Sequence, residues 1–358
     1  YDEAKTRSTA AFSDVTLVPR FMRGEFKPDI ETTLFGATYA APFGIAPVGM
    51  NGLSWPGTDR FLAQCAGRRR IPYTMSTAAN ETPETLGPDA AGMGWFQLYP
   101  PRNTNMRSDL LARARDSGFT TLVITVDVQA MSRRERQMRA GLGAGYSLTP
   151  KMLWETMQRP SWAMAMLRNG KPGLPMLERY MPSKDMQAFL AFVGSELNGT
   201  FDWAYLDALR AEWDGALVLK GILDPADAQQ AVEHGVDGIL VSSHGGRQMD
   251  AAPASVSVLP AIKRAVGDRA AVLLDSGVRG GLDVARALAS GADFVLLGRS
   301  FMYSVAALGQ LGPDHAVDLL TDDLKATMSN LGCSTLDELA GRLEPSVIDR
   351  GTPATQRG

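Results

Sequence analysis

Short runs of β-branched and aliphatic residues, each bounded by turn formers, recur along the chain at 43–46, 72–76, 95–99 and 121–126. Four more follow after a long gap, at 216–220, 237–241, 271–275 and 293–297. Each is nearly continuous in apolar residues, the pattern of strands buried on both faces. Between them, residues 59–70, 107–117, 226–234, 256–266 and 282–290 have helix-like spacing. Asp224 and Pro225 ahead of one stretch, and Gly118, Gly235 and Gly291 behind others, are start and stop signals. Eight alternating units, with no G-x-G-x-x-G turn after the first strand, predict an α/β fold. They favour a closed (β/α)8 TIM barrel over an open doubly wound sheet. Residues 137–199 break the spacing and are too long for an ordinary loop. The expected organisation is a single barrel domain over 1–358, with a long insertion after the fourth strand.

A barrel of this kind carries its chemistry at the C-terminal ends of its strands. The residues there are Pro47, Val48 and Gly49; Ser76; Gln97 and Tyr99; Thr125 and Asp127; Lys220; Ser242 and His244; Asp275; and Gly298 with Arg299. Any one of them is equally readable as a helix cap. A nearly unbroken series around the barrel points instead to a site. Three histidines limit the choice of imidazole base. His234 ends a helix before Gly235 and His315 lies in a polar stretch after Pro313, so both read as structural or surface residues. His244 follows the sixth strand inside Ser242-Ser243-His244-Gly245-Gly246-Arg247-Gln248. The paired glycines there are expected to let backbone approach a ligand.

Charge narrows the partners. With 36 Lys and Arg against 39 Asp and Glu, the net charge of -3 offers no broad positive field for nucleic acid. No apolar run reaches the roughly 18 residues a spanning helix needs. Cys65 and Cys333 lie far apart, outside any C-x-x-C pair, and read as two buried thiols in a reducing compartment. The insertion has a different character. Residues 151–184 interleave Met152, Leu153, Trp154, Met157, Trp162, Met164, Met166 and Leu167 with six basic and two acidic residues, a local charge of +4. That composition suits either a lid with its apolar face over the site or a basic amphipathic patch on a membrane surface. Localisation is correspondingly expected to be cytoplasmic, with peripheral contact at the cytoplasmic membrane face as the alternative.

The segment around His244 resembles the FMN-dependent 2-hydroxy-acid oxidizing family, whose signature is S-N-H-G-[AG]-R-Q. Ser243 stands where that signature has Asn. The resemblance extends to Ile45-Ala46-Pro47, Trp95-Phe96-Gln97-Leu98-Tyr99, Thr125-Val126-Asp127, Lys220-Gly221, Asp275-Ser276-Gly277-Val278-Arg279 and Leu297-Gly298-Arg299. Pro160-Ser161-Trp162 in the insertion is similar to the bacterial lactate dehydrogenase branch.

The resemblance implies bound FMN and a homotetramer. Gly277, Arg279, Gly280, Gly281, Gly298 and Arg299 would bind its phosphate through backbone N–H groups and cations, which is also what a glycine turn or helix start offers. Lys220 would hold positive charge near the flavin N1 and C2 carbonyl, where electrons accumulate on reduction. A buried lysine without a partner is costly, so a bound anion is its expected counterpart. Ser76, Gln97 and Thr125 would contact the ring edge, with the backbone of Pro47, Val48 and Gly49 near N5, and Ser242 and Asp275 alongside. Arg134 and Arg247 would bind the substrate carboxylate through contacts of about 1.5–3 kcal/mol each, and Tyr99 would hydrogen-bond the substrate. His244 would act as base with Asp127 orienting it, taking either the Cα proton or the hydroxyl proton. The family's other substrate tyrosine precedes the point matching Tyr1.

The implied reaction converts an (S)-2-hydroxy acid, lactate- or mandelate-like, to its 2-keto acid. Gly49 resembles the dehydrogenase branch, in which a quinone or other carrier accepts the electrons; an oxygen-using oxidase or monooxygenase is the alternative. Ala78 replaces the tryptophan of glycolate oxidase and leaves room for a larger group, part of which Met131 could refill. A non-redox FMN barrel isomerase and a barrel serving only as a binding module are readings from other classes. His244, Arg247, Arg134 and Lys220 together argue against both.

Overall fold

The computed structural model describes residues 2–130, 132, 150–170, 172–181, 183, 192–197 and 202–344. A short antiparallel hairpin, β1 (Thr32–Leu34) and β2 (Ala37–Tyr39), precedes the barrel strands. These are β3 (Phe43–Ile45), β4 (Tyr73–Ser76), β5 (Gly94–Leu98), β6 (Thr121–Thr125), β7 (Ala216–Ile222), β8 (Gly238–Val241), β9 (Ala271–Leu274) and β10 (Phe294–Leu297). All eight pair in parallel with their sequence neighbours, and β10 closes on β3. The expected TIM barrel is the observed one, with strand ends displaced by a residue or two.

The helices begin with α1 (Glu3–Ala10), α2 (Thr58–Arg69), α3 (Pro83–Ala90) and α4 (Thr104–Asp116). The insertion contributes α5 (Pro150–Met157), α6 (Pro160–Asn169) and α7 (Pro175–Glu178). Then come α8 (Trp203–Glu212), α9 (Pro225–Glu233), α10 (Ser255–Val266), α11 (Gly281–Ala289), α12 (Arg299–Leu308) and α13 (Gly312–Leu331). Asp224 caps α9 as its position implied, accepting from Ala226 N at 2.7 Å.

Strand alternation divides the apolar residues into two cores. Phe96, Leu122, Leu217, Ile239, Val272 and Val295 face the helices in one large cluster. Trp95, Val123, Val218, Leu240, Leu273 and Leu296 fill the barrel interior in a second. The hairpin packs beneath that inner layer: the Trp95 indole N–H donates to the Tyr39 hydroxyl at 3.1 Å, and the Tyr39 ring meets Phe294 at 5.6 Å. One end of the barrel is thus closed with apolar material. Two residues further along the same inward face stand Gln97, Thr125, Lys220, Ser242, Asp275 and Gly298. The period of two that builds the core therefore also lifts the polar side chains into a layer at the opposite end.

Candidate active site

The polar layer is internally bonded. Ser76 Oγ donates to Gln97 Oε1 at 3.0 Å, and Gln97 Nε2 donates to Thr125 Oγ1 at 2.9 Å. All three side chains are buried. They are not helix caps; side-chain caps are made by Asn103, Asp202 and Asp224 instead. Beside them, Lys220 Nζ donates to Ser242 Oγ at 3.0 Å and lies 3.6 Å from Asp275 and 4.0 Å from Asp127. Burial alone would lower the lysine, but the two carboxylates outweigh it and hold the ammonium above its ordinary value. Two protein carboxylates thus accompany Lys220, so its burial does not by itself call for the bound anion expected as its counterpart.

Gly221 explains how the second carboxylate approaches. The β7–β8 register shifts between Lys220 and Ile222, Gly221 takes φ +110°, and a Cβ there would stand 2.7 Å from Asp127 Cβ. Asp127 then accepts from His244 Nδ1 at 2.8 Å. Burial would raise its carboxyl, but the Lys220 ammonium and His244 together pull it below the usual carboxylate value. An ionised carboxylate only accepts hydrogen bonds, so Nδ1 carries the proton and Nε2 is the basic nitrogen. Burial and the nearby Lys220 hold the imidazole below its ordinary value, against the opposing pull of Asp127. A neutral, oriented imidazole results. The Tyr99 ring stacks beside it at 6.5 Å and 29°.

His244 itself has φ 53°, a left-handed conformation unusual for a non-glycine residue. Its backbone N–H donates to Ser242 Oγ at 3.0 Å. Across the turn, Ser276 Oγ donates to Asp275 at 2.8 Å and accepts from Gly245 N at 2.9 Å and Ser243 N at 3.3 Å. Ser276 was not among the expected site residues, although it sits between Asp275 and Gly277. The signature departure at Ser243 is met by the N-terminal helix, where Ser8 Oγ lies 3.2 Å from Ser243 Oγ. The same helix explains two glycines that were expected to approach a ligand: a Cβ at Gly246 would meet Lys5 N at 2.4 Å, and one at Gly277 would meet Ser8 O at 2.0 Å. Their bare faces admit α1.

A cationic group lies beside the start of α12. Arg299 donates to the Gly245 carbonyl, and burial together with the charges of Arg279 and Arg247 depresses its guanidinium. Gly298 precedes α12 without a side-chain cap, leaving the first helical N–H groups for an anion. The N–H of Arg279 is engaged by Asp283 at 3.0 Å, and Leu282 N by Asp323 at 2.9 Å. A Cβ at Gly281 would strike Leu324 N at 2.2 Å, so Gly280 and Gly281 serve the contact with α13. Pro47, Val48 and Gly49 follow β3; Cβ positions built on Gly298 and Gly49 lie 3.3 Å from Val48 and 3.0 Å from Ala78 respectively. Arg247 is exposed on the His244 turn, its carbonyl accepting from Ser132 Oγ at 2.6 Å. Arg134 and Met131 lie outside the described residues. The remaining imidazoles are elsewhere: His234 bonds Asp207 at 2.6 Å and stacks on Trp203, and His315 is exposed on α13.

One end of the barrel thus joins a hydrogen-bonding polar layer, a buried ammonium, a neutral imidazole and an arginine pair at a helix start. This donor set suits a phosphorylated, planar, electron-accepting group. A family model described as FMN-dependent dehydrogenase matches residues 2–345. An L-lactate dehydrogenase of Vibrio parahaemolyticus is 38% identical over 344 residues, covering 95% of this chain and 90% of its own. Among solved structures, the monotopic membrane protein (S)-mandelate dehydrogenase superposes with a TM-score of 0.91 at 32% identity, covering 96% of this chain and 91% of that one. A mandelate oxidase superposes with a TM-score of 0.80 at 32% identity, over 96% and 90% of the two chains. The chain belongs to the FMN-dependent 2-hydroxy-acid dehydrogenase and oxidase family, and is an oxidoreductase whose cofactor is FMN.

Proposed function

We propose that this protein oxidises an (S)-2-hydroxy acid larger than glycolate, lactate- or mandelate-like, to the 2-keto acid. The observation that carries the reading is His244, held neutral with Nδ1–H on Asp127 and Nε2 basic. Oxidation removes the Cα hydrogen and the hydroxyl hydrogen of the substrate, and bound FMN supplies the two-electron acceptor. His244 Nε2 takes the proton, and the Asp127 carboxylate stabilises the imidazolium that forms. Arg247, on the same turn, binds the substrate carboxylate together with Arg134, and Tyr99 hydrogen-bonds the substrate. Ser76, Gln97, Thr125 and Lys220 hold the polar edge of the cofactor, with Ser242 and Asp275 fixing the lysine. The backbone at Pro47, Val48 and Gly49 borders the ring. Arg279 and Arg299, with the turns at Gly277 and Gly298, hold the phosphate.

The electron acceptor is a membrane-borne carrier of quinone type rather than oxygen. Supporting this, several apolar residues of α5 and α6 face outward: Trp154 is 61% exposed, Met157 66% and Leu167 80%. An inward-facing lid would bury them. The insertion is therefore a membrane-surface element on a barrel that works as one domain, peripheral on the cytoplasmic face. No helix among the described residues is long and apolar enough to cross a membrane. Exposed Tyr303, Leu308, Leu311 and Leu319, on α12, α13 and the turn between them, suit burial between subunits of a homotetramer.

Anaerobic mixing of the FMN-loaded protein with lactate, mandelate and glycolate tests the reading. The yellow absorbance is expected to bleach with lactate or mandelate and more slowly with glycolate. Absorbance unchanged by all three would overturn it.

A further inference from the structure

A buried carboxylate outside the His244 cluster joins the loops at the barrel mouth. Asp59, in the first turn of α2, accepts from Asn51 Nδ2 at 2.8 Å, the Tyr73 hydroxyl at 3.0 Å and Asn80 N at 2.9 Å. Burial pushes this carboxyl up, against the opposing hydrogen bonds from Asn80, Asn51 and Tyr73. Such a group is costly to bury without a cation, and its neutral donors tie the Asn51 and Asn80 loops to Tyr73 of β4.

The Asn80 side chain extends the connection in two directions. Its Oδ1 accepts from Gly52 N at 2.7 Å, and its Nδ2 donates to the Gly173 carbonyl of the insertion at 2.6 Å. Gly52 lies three residues beyond Gly49, and Asn80 lies two beyond Ala78. Met50 N donates to the Ala78 carbonyl at 2.8 Å, so the two loops run side by side. Where they face each other, a Cβ built on Gly49 would stand 3.0 Å from the Ala78 Cβ. The insertion makes a second attachment to the first loop, Trp162 Nε1 to the Leu53 carbonyl at 3.3 Å.

We propose that Asn80, oriented by Asp59, is a positioning residue that sets the spacing between the Gly49 and Ala78 loops and ties that spacing to the insertion at Gly173. Discrimination between small and large 2-hydroxy acids then depends on a side chain that does not touch them. This inference rests on the oxidation proposed above. Asn80→Ala removes both side-chain bonds and keeps the backbone donor to Asp59, so the barrel is expected to fold and hold FMN. Losing the bond that sets the spacing is expected to change the mandelate-to-lactate ratio of kcat/KM by about fivefold, the scale of one neutral hydrogen bond. Amide exchange at Gly52 is expected to accelerate in the same variant. Asp59→Asn, which puts an amide among three donors, is expected to shift the ratio in the same direction.

A lowered Tm in Asn80→Ala with an unchanged ratio would show a merely structural role and overturn the proposal. Unchanged Gly52 exchange would overturn the link itself. Wild-type protein bleached by no 2-hydroxy acid would overturn the functional reading, while the exchange measurement would still decide the link.

Discussion

The imidazole of His244 has its protonation set by burial and by two oppositely charged neighbours. Burial and Lys220 favour the neutral form, and Asp127 opposes them while fixing which nitrogen keeps the proton. The base must be unprotonated to act, and its pKa lies below the ordinary 6.5. Activity should therefore persist as pH falls to that value and decline only below it. A pH profile of kcat/KM checks this, and an acid limb centred above 6.5 would contradict the proposed environment. Asp127→Asn should lose on the order of 10²–10⁴ in rate, since an amide can donate to Nδ1 and favour the wrong tautomer. The residues proposed to react were nameable from the sequence because they cluster in one short motif and at strand ends. Ser276 was not, because its value lies in orienting the backbone of residues more than thirty positions away.

The barrel strands were visible because each is a nearly continuous apolar run. The hairpin was not: its strands have three residues each, too few to show a period, and it is recognisable only from its packing beneath Trp95. The N-terminal helix α1 escaped for another reason. It buries only Ala4 and Ser8, and docks through Ala4 N to Asp250 at 2.8 Å and Ser8 to Ser243 rather than through an apolar face. Hydrophobic periodicity carries no trace of such an attachment. Gly277 has φ +94°, and the Ser8 carbonyl occupies the place of its Cβ. Gly277→Ala should accordingly cost about 1–3 kcal/mol and loosen α1 from the His244 turn. Thermal melting with limited proteolysis checks this; a variant as stable and as resistant as wild type would remove α1 from the account.

Across the molecule, the inner apolar core and the polar layer two residues above it are buried, while parts of α5 and α6 beyond them are exposed. The insertion's amphipathic composition was legible in the sequence, but which apolar side chains of α5 and α6 are exposed required coordinates. With Trp154 and Leu167 exposed, the protein should float with vesicles containing anionic lipid and be released by salt. Trp154→Ser with Leu167→Ser should stay with the soluble fraction while retaining anaerobic reduction by substrate. Wild-type protein that fails to float would leave these helices to another partner.

On the function proposed above, one neutral imidazole takes the substrate proton at the polar end of this barrel. Rapid anaerobic mixing of wild-type protein and His244→Asn, both loaded with FMN, with the 2-hydroxy acid that reduces the wild type isolates that proton transfer. Both proteins should be equally yellow before mixing, with reduction of the variant slower by several powers of ten, on the order of 10³ or more. Bleaching of His244→Asn at close to the wild-type rate would contradict the account.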